Sequence, residues 1–239
     1  MEMGEDGEAR AVAHLRAQLG AKFPLVAVEI AIGARLWKVT AVQNQDALLD
    51  NAHDLEHFPY GFLLWESAVG LARHLAAHPE LVAGKQVLEL GAGVGLPGLV
   101  AASLGADVWQ TDHQPGALSL LRINAFDNAL PAPKTFIADW REWNHPARYD
   151  VVLGADILYE RAMHFYLETL FPRCLTPNGT LLISDPGRPQ ALEFVAKQES
   201  AGWQVAIETQ SVSLTENARS GRPVEVALLT GRPPRETGA

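Results

Sequence analysis

The chain of 239 residues contains a single cysteine, Cys174. One cysteine can form neither an intrachain disulfide nor a cysteine metal cluster, so both are excluded. The sequence also lacks an apolar run of membrane-spanning length, and its acidic start, 1–10, does not have the basic and then apolar order of a secretory signal. We therefore expect a cytoplasmic protein in a reducing compartment, without a membrane partner.

Basic residues are also scarce. The chain has 19 lysines and arginines against 28 aspartates and glutamates, a formal net charge of −9. Binding to a nucleic-acid backbone needs a concentrated basic surface, so nucleic acid is not the expected partner. A cationic partner, such as a lysine-bearing protein, fits this charge better.

The composition is that of one globular domain with an N-terminal extension. Apolar residues make up 48% of the chain and charged residues 20%, which allows one full hydrophobic core. Periodicity predicts a short amphipathic helix at 8–19 and a β-hairpin with strands at 25–32 and 34–42 around Gly33. The expected extension, main domain and flexible tail have these boundaries: 1–58, 59–231 and 232–239.

After a predicted helix at 65–78, apolar strands alternate with helices. The strands expected from this alternation lie at 86–90, 107–111, 135–139, 151–155 and 180–185. Such alternation indicates parallel strands with crossover helices on both faces of the sheet. Two last strands, 203–209 and 224–230, have no helix between them and predict an antiparallel hairpin. The expected fold is α/β and Rossmann-like, with a seven-stranded, mostly parallel sheet and one antiparallel strand.

The central signal is the segment 87–98, where an apolar strand runs into a glycine-rich turn and then a helix. Gly91 and Gly93 would let the backbone approach a ligand closely. Dinucleotide dehydrogenases use a similar turn, but Leu96 stands where their third glycine would be. Glu89, just before the turn, would suit a ligand that carries an ammonium group. A turn that only packs helix against strand is the alternative.

Polar and aromatic residues follow the next two strands. Asp112 ends the second strand, where this kind of fold points a carboxylate at ribose hydroxyls. A helix N-cap ahead of Pro115 is its other interpretation, and both can hold. Asp139 and Trp140 end the third strand, where a carboxylate can accept from an adenine amino group and an indole can cover the ring. For Trp140, packing at the edge of the core is the alternative.

In order and spacing, these features resemble the seven-β-strand methyltransferases, whose cofactor is S-adenosylmethionine. The resemblance covers roughly 60–230. Two further segments, 59–68 and 149–160, are similar to the protein-lysine methyltransferase branch, methyltransferase family 16. In that branch an Asp-x-x-Tyr/Phe motif closes the fourth strand beside the transferred methyl group, and here it reads Asp156-Ile157-Leu158-Tyr159.

The resemblance implies a role for each matching residue. Asp156 would capture and orient the acceptor amine, and Tyr159 would wall its channel. Trp65 and Ala155 match an upstream tryptophan and a small residue before the motif, both cofactor contacts in that branch; core packing is the alternative for Trp65. The full set of expected cofactor-binding residues is Trp65, Glu89, Gly91, Ala92, Gly93, Asp112, Asp139, Trp140 and Ala155.

Other features do not support a different chemistry. His74 and His78 have a helical spacing that could bind a metal, but no third ligand is apparent, so no metal is expected. No serine has the flanking glycines of a hydrolase elbow. Asp185-Pro186 follows the fifth strand, where base- and amide-modifying methyltransferases keep an Asn-Pro-Pro-Tyr-type motif, so those substrates are not expected.

Three functions remain. The first is a protein-lysine methyltransferase, the second a small-molecule N-methyltransferase and the third a non-catalytic module that retains the fold. The intact glycine turn, Asp112 and Asp156 count against the third. The N-terminal hairpin and the loop 213–223 are the expected elements of substrate recognition, while the sequence leaves the oligomeric state open.

Overall fold

The computed structural model describes residues 5–49, 59–214 and 223–234. The strands are β1 (Leu25–Ile32), β2 (Arg35–Val42), β3 (Gln86–Leu90), β4 (Asp107–Asp112), β5 (Lys134–Ile137), β6 (Tyr149–Ala155), β7 (Leu175–Asp185), β8 (Gln204–Val212) and β9 (Val224–Arg232). The α-helices are α1 (Glu5–Gly20), α2 (Gln45–Leu49), α3 (Glu66–Ala77), α4 (Leu96–Ser103), α5 (Pro115–Asp127), α6 (Arg161–Cys174) and α7 (Pro189–Ser200). None of these helices is long and apolar enough to cross a membrane.

The central sheet has seven strands in the order β5-β4-β3-β6-β7-β9-β8. Neighbours from β5 to β7 pair in parallel, and β9 runs antiparallel to β7 and β8. The predicted α/β class, seven mostly parallel strands and one antiparallel strand are confirmed. Because chain order reverses between β3 and β6, their carboxyl ends flank the crevice in which open α/β sheets bind ligands.

Several strand boundaries differ from the prediction, and two of the differences have a local reason. Strand β5 ends at Ile137 rather than residue 139, because Asp139 caps a 3₁₀ turn (Trp140–Glu142) by accepting from the Arg141 main-chain N–H. Strand β7 begins at Leu175 rather than at residue 180. Its pairing with β6 is interrupted over 176–179, a stretch that contains a proline and a glycine.

The N-terminal extension packs against the same core as the sheet. Ile30, Trp37 and Val39 of its hairpin are at most 4% exposed and belong to one apolar cluster with residues of α3 and α5. Helix α1 is held to α5 by an ion pair between Arg16 and Asp127, with a nitrogen–oxygen distance of 2.7 Å. The hairpin is therefore fixed to the domain that it adjoins. Residues 50–58, most of the loop 213–223 and the end of the expected tail lie outside the described residues.

Asn124 on α5 joins the hairpin to the glycine turn. Its side-chain oxygen accepts from the Thr40 N–H at 2.7 Å, and its nitrogen donates to the carbonyl oxygens of Thr40 at 3.0 Å and Val94 at 2.9 Å. The side chain is buried, so main-chain groups of β2 and of the turn depend on it.

We expect Asn124→Ala to lower the free energy of unfolding by about 2 to 3 kcal/mol, because it strands buried main-chain donors and acceptors. Chemical denaturation measures this loss. Gln18→Ala removes an amide from the exposed face of α1 and should change stability by no more than about 0.5 kcal/mol. Equal stabilities of the two variants would contradict the role of Asn124.

Candidate functional site

The glycine turn after β3 is held tightly against its neighbours. Gly91 and Gly93 have φ values of 60° and 53°, which non-glycine residues rarely adopt. A Cβ at Gly93 would lie 2.9 Å from the carbonyl oxygen of Gly61, and the Ala92 N–H donates to the Thr111 carbonyl at 2.8 Å. The turn therefore requires glycine, and Gly61 is a neighbour that local sequence patterns do not reveal.

Glu89 links the strand before the turn to the helix and strand beside it by hydrogen bonds. Its Oε2 accepts from the Gly98 N–H of α4 at 3.1 Å and from the Gln110 side chain at 2.6 Å. Only 1% of the residue is exposed, and burial raises the pKa of this carboxyl to about 8. At neutral pH it is therefore mostly protonated. The visible role of Glu89 is to stabilise the start of α4, and its expected contact with a ligand ammonium group stays a prediction.

Because the pKa of Glu89 is raised, the stability of the protein should depend on pH. The folded protein holds this proton up to about pH 8, whereas the unfolded chain releases it near pH 4.5, so Glu89 makes stability fall as pH rises between these values. Glu89→Gln cannot titrate, and its amide oxygen can accept the same two hydrogen bonds. Denaturation from about pH 5 to 7 should show a slope for the variant that is less negative by about 1.4 kcal/mol per pH unit. Identical slopes would contradict this assignment.

Asp112 lies at the carboxyl end of β4, beside the turn. Its Oδ2 accepts from the Gly93 N–H at 3.0 Å, and its Oδ1 accepts from the Gln114 N–H at 2.9 Å. Burial raises the pKa of this carboxyl, and these two main-chain donors oppose the shift. Gln114, not Asp112, is the N-cap residue of α5, so the capping interpretation is wrong in that detail. Each carboxylate oxygen has a second lone pair, which leaves the ribose role of Asp112 as a prediction.

Trp140 lies over the glycine turn, whereas Asp139 is engaged with Arg141. A Cβ at Gly91 would come within 3.2 Å of the Trp140 ring and 3.1 Å of Ile157. Both Asp139 oxygens accept from the Arg141 guanidinium, which holds the pKa of the Asp139 carboxyl below its usual value. Asp139 therefore does not end a strand as predicted, and recognition of an adenine amino group would share this carboxylate with Arg141.

Asp156 follows β6 in a left-handed conformation, with a φ of 60°. Its N–H donates to the Ser184 carbonyl at 2.8 Å, which fixes this uncommon backbone. Ala155 before it is half-buried, and Ile157 after it folds back onto Gly154, where a Cβ would lie 2.3 Å from the Ile157 side chain. The reversal leaves the Asp156 carboxylate 7% exposed at the edge of the crevice.

Three aromatic side chains cluster near Asp156, those of Tyr60, Trp65 and Tyr159. The rings of Tyr60 and Tyr159 lie 5.7 Å apart, and the Trp65 indole N–H donates to the Tyr60 carbonyl at 3.0 Å. Burial raises the pKa of Tyr159 to about 12, with smaller contributions from nearby acidic groups that include Asp112 and Asp156. Tyr159 therefore stays a neutral phenol near the ends of both β4 and β6, while Trp65 is the N-cap residue of α3.

Sequence patterns did not reveal the partner of Asp156. The Arg188 guanidinium donates to Asp156 Oδ1 and, at 3.0 Å, to Asp185 Oδ2. The Arg188 N–H also donates to Asp185 Oδ1 at 2.7 Å. Burial raises the pKa of Asp156, and the Arg188 guanidinium opposes that shift. The local sequence signal for Arg188 was the turn Asp185-Pro186-Gly187-Arg188, which joins β7 to α7.

The histidine pair from which no metal site was expected lies at the end of α3, with His74 in the last turn and His78 as the C-cap residue. The His74 and His78 rings lie 4.8 Å apart, and burial lowers the pKa of His74. Within the described residues, no three or more His, Cys, Asp or Glu side chains are grouped as metal ligands.

Comparison with known proteins identifies the family. A solved structure of a putative RNA methyltransferase from Pyrococcus horikoshii has a TM-score of 0.55 and 22% identity, covering 70% of this chain and 84% of that one, which is a likeness of fold alone. A family model described as lysine methyltransferase matches residues 43–200, more than half of the chain. The chain belongs to the lysine methyltransferase family. The family assignment made from the sequence is confirmed.

Relatives in curated collections differ in what they act on. The electron transfer flavoprotein beta subunit lysine methyltransferase of Danio rerio is 34% identical over 134 residues, which are 55% of this chain and 52% of that protein. The histone-arginine methyltransferase METTL23 of Mus musculus is 36% identical over 113 residues, 44% of each chain. The chain thus spans about half the length of the curated relatives that it matches.

Proposed function

We propose that this protein is an S-adenosylmethionine-dependent methyltransferase that modifies a lysine side chain of a protein substrate. The observation that carries the proposal is the buried Asp156 carboxylate, which follows β6, three residues before Tyr159, next to the strand that carries the glycine turn. Family membership supports the same reaction. The net charge of −9 supports a cationic protein partner rather than nucleic acid, and the proposed compartment is the cytoplasm.

The residues around the glycine turn fit the proposed cofactor. Asp112 can accept hydrogen bonds from ribose hydroxyls, Trp140 offers an aromatic face for the adenine, and Gly91–Gly93 gives close access to the backbone. Ala155 and Trp65 would complete the contacts on the β6 and α3 sides. When bound, S-adenosylmethionine would supply an electrophilic methyl group on a sulfonium.

The chain's own residues must present a neutral amine in line with that methyl group. A free lysine has a pKa near 10.4, so its deprotonation at pH 7 costs roughly 4 to 5 kcal/mol. Asp156 accepts a hydrogen bond from the amine and orients it. Tyr60 and Tyr159 narrow the approach to Asp156 and exclude water. The proton leaves to solvent before transfer. An ionised Asp156 also favours the charged ammonium, so its charge needs an opposing group.

The cofactor site can be tested by binding alone. Asp112→Ala should weaken S-adenosylmethionine by about 1 to 3 kcal/mol, since it removes hydrogen bonds made by a charged acceptor. Asp107→Ala is the matched control, because Asp107 lies at the other end of β4 and pairs with Lys134. Calorimetry on folded samples measures both affinities. Equal affinity of the Asp112 variant and the wild-type protein would place the ribose elsewhere.

The reaction can be tested by labelled-methyl transfer into a protein extract of the source organism, followed by mass spectrometry. We expect label on lysine with the wild-type protein and about a hundredfold less with Asp156→Ala, whose cofactor affinity should remain near normal. Asp156→Asn keeps an acceptor oxygen without the charge, so its activity should lie between the two. Label only in small molecules, or on arginine, would overturn the lysine assignment; undiminished transfer by Asp156→Ala would overturn the role of Asp156.

A further inference from the structure

Arg188 occupies a position that the methyl-transfer reaction alone does not explain. It is the N-cap residue of α7, and its guanidinium donates to two carboxylates at the carboxyl ends of adjacent strands, Asp156 directly after β6 and Asp185 at the end of β7. The side chain is 27% exposed, while those of Asp156 and Asp185 are 7% and 1% exposed. One largely shielded cation is thus shared by two buried anions.

This arrangement has a chemical cost and a chemical use. Two buried carboxylates with no cation between them would repel each other and strongly favour any ammonium ion nearby. A guanidinium cannot lose its proton in the working pH range, so it offsets their charge at every such pH. A charge-assisted hydrogen bond from one of its terminal nitrogens also orients the Asp156 carboxylate.

We infer that Arg188 is a positioning residue of the acceptor site, which orients Asp156 and offsets its charge so that the bound amine is held nearer its neutral, nucleophilic form. The inference rests on the proposed function, because it requires an amine acceptor at Asp156. It adds the N-cap residue of α7 to the site.

The groups that act on this position come from several elements. Asp156 is influenced by Arg188 and Asp185, and Ser67 of α3 lies beside it without a charge. The neighbouring Tyr159 is influenced by Glu160, Tyr60, Asp112 and Asp156. Among the charged groups of the described residues that act on Asp156, Arg188 is the cation, so its removal leaves the charges of Asp156 and Asp185 without a protein counter-charge beside the amine.

The test is the pH dependence of labelled-methyl transfer, measured from about pH 6 to 10. The probe is a protein extract of the source organism. Arg188→Gln should move the rising limb of the pH–rate profile to higher pH by about one unit, because the acceptor ammonium becomes harder to deprotonate. At pH 7 the rate should fall about tenfold and recover at alkaline pH. Arg188→Lys keeps a positive charge and should keep the limb near its wild-type position.

Two further variants separate charge from structure. The double variant Arg188→Gln with Asp185→Asn removes one carboxylate together with the cation, so it should return the limb to its wild-type position. Lys197→Gln removes a positive charge from an exposed site on the same helix and should not move the limb. A uniform loss of rate at every pH, or no rescue by the double variant, would overturn the inference.

The electrostatic effect of Arg188 on Asp156 can also be measured without methyl transfer. Carboxyl ¹³C NMR of aspartate-labelled protein, with the Asp156 signal assigned from Asp156→Asn, should show a higher Asp156 pKa in Arg188→Gln than in the wild-type protein and no change in Lys197→Gln. An unchanged Asp156 titration would overturn the inference while leaving the proposed function intact. If the wild-type protein labels no protein, the proposed function is overturned, and with it the role of Arg188 as a positioning residue of the acceptor site.

Discussion

The structure depends on the need to satisfy acidic groups buried along one edge of the sheet. The four side chains concerned are at most 9% exposed and belong to adjacent strands or their ends: Glu89, Asp112, Asp156 and Asp185. A carboxylate in such a place costs several kcal/mol unless it is neutral or receives hydrogen bonds from well-placed donors. Donors from the turns and helices that follow these strands, together with the Gln110 amide of β4, meet that need.

The four groups are satisfied in two different ways. Glu89 and Asp112 accept from main-chain N–H groups and a neutral amide, and burial raises the pKa of Glu89 to about 8. Asp156 and Asp185 instead share Arg188. Near the glycine turn the carboxyl groups are therefore bound by neutral donors, whereas near Asp156 they form an ionic cluster. This asymmetry matches a proposed division between holding a cofactor and controlling an amine.

Sequence periodicity predicted the fold well because each strand and helix signals itself locally. Fold class, strand number and the single antiparallel strand were all recoverable from patterns of period two and 3.6. Boundaries failed where a side chain reshaped the backbone, as Asp139 does when it bonds to Arg141 rather than extending β5. Such a bond over two residues gives no periodic signal.

The candidate site was predicted less completely than the fold. Asp112 and Asp156 could be singled out because a carboxylate directly after a parallel strand is itself a signal. Gly61 and Arg188 could not, because their importance arises from contacts with residues far along the chain, at Gly93 and Asp156. The Glu89 side chain was correctly noted as close to the turn, but its orientation toward α4 follows from a hydrogen bond that only the folded chain defines.

Charge would act at two ranges on the proposed lysine substrate, with opposite consequences. The net charge of −9 would attract a cationic partner over distances of about a Debye length, roughly 8 Å at physiological salt, whether or not the amine is neutral. At the reacting centre, the same negative charge would hold the amine in its unreactive ammonium form. The two demands are compatible only if the charge beside the acceptor is offset locally. A guanidinium bonded to Asp156 meets this condition, because its charge acts at hydrogen-bond distance and leaves the acidic exterior unchanged.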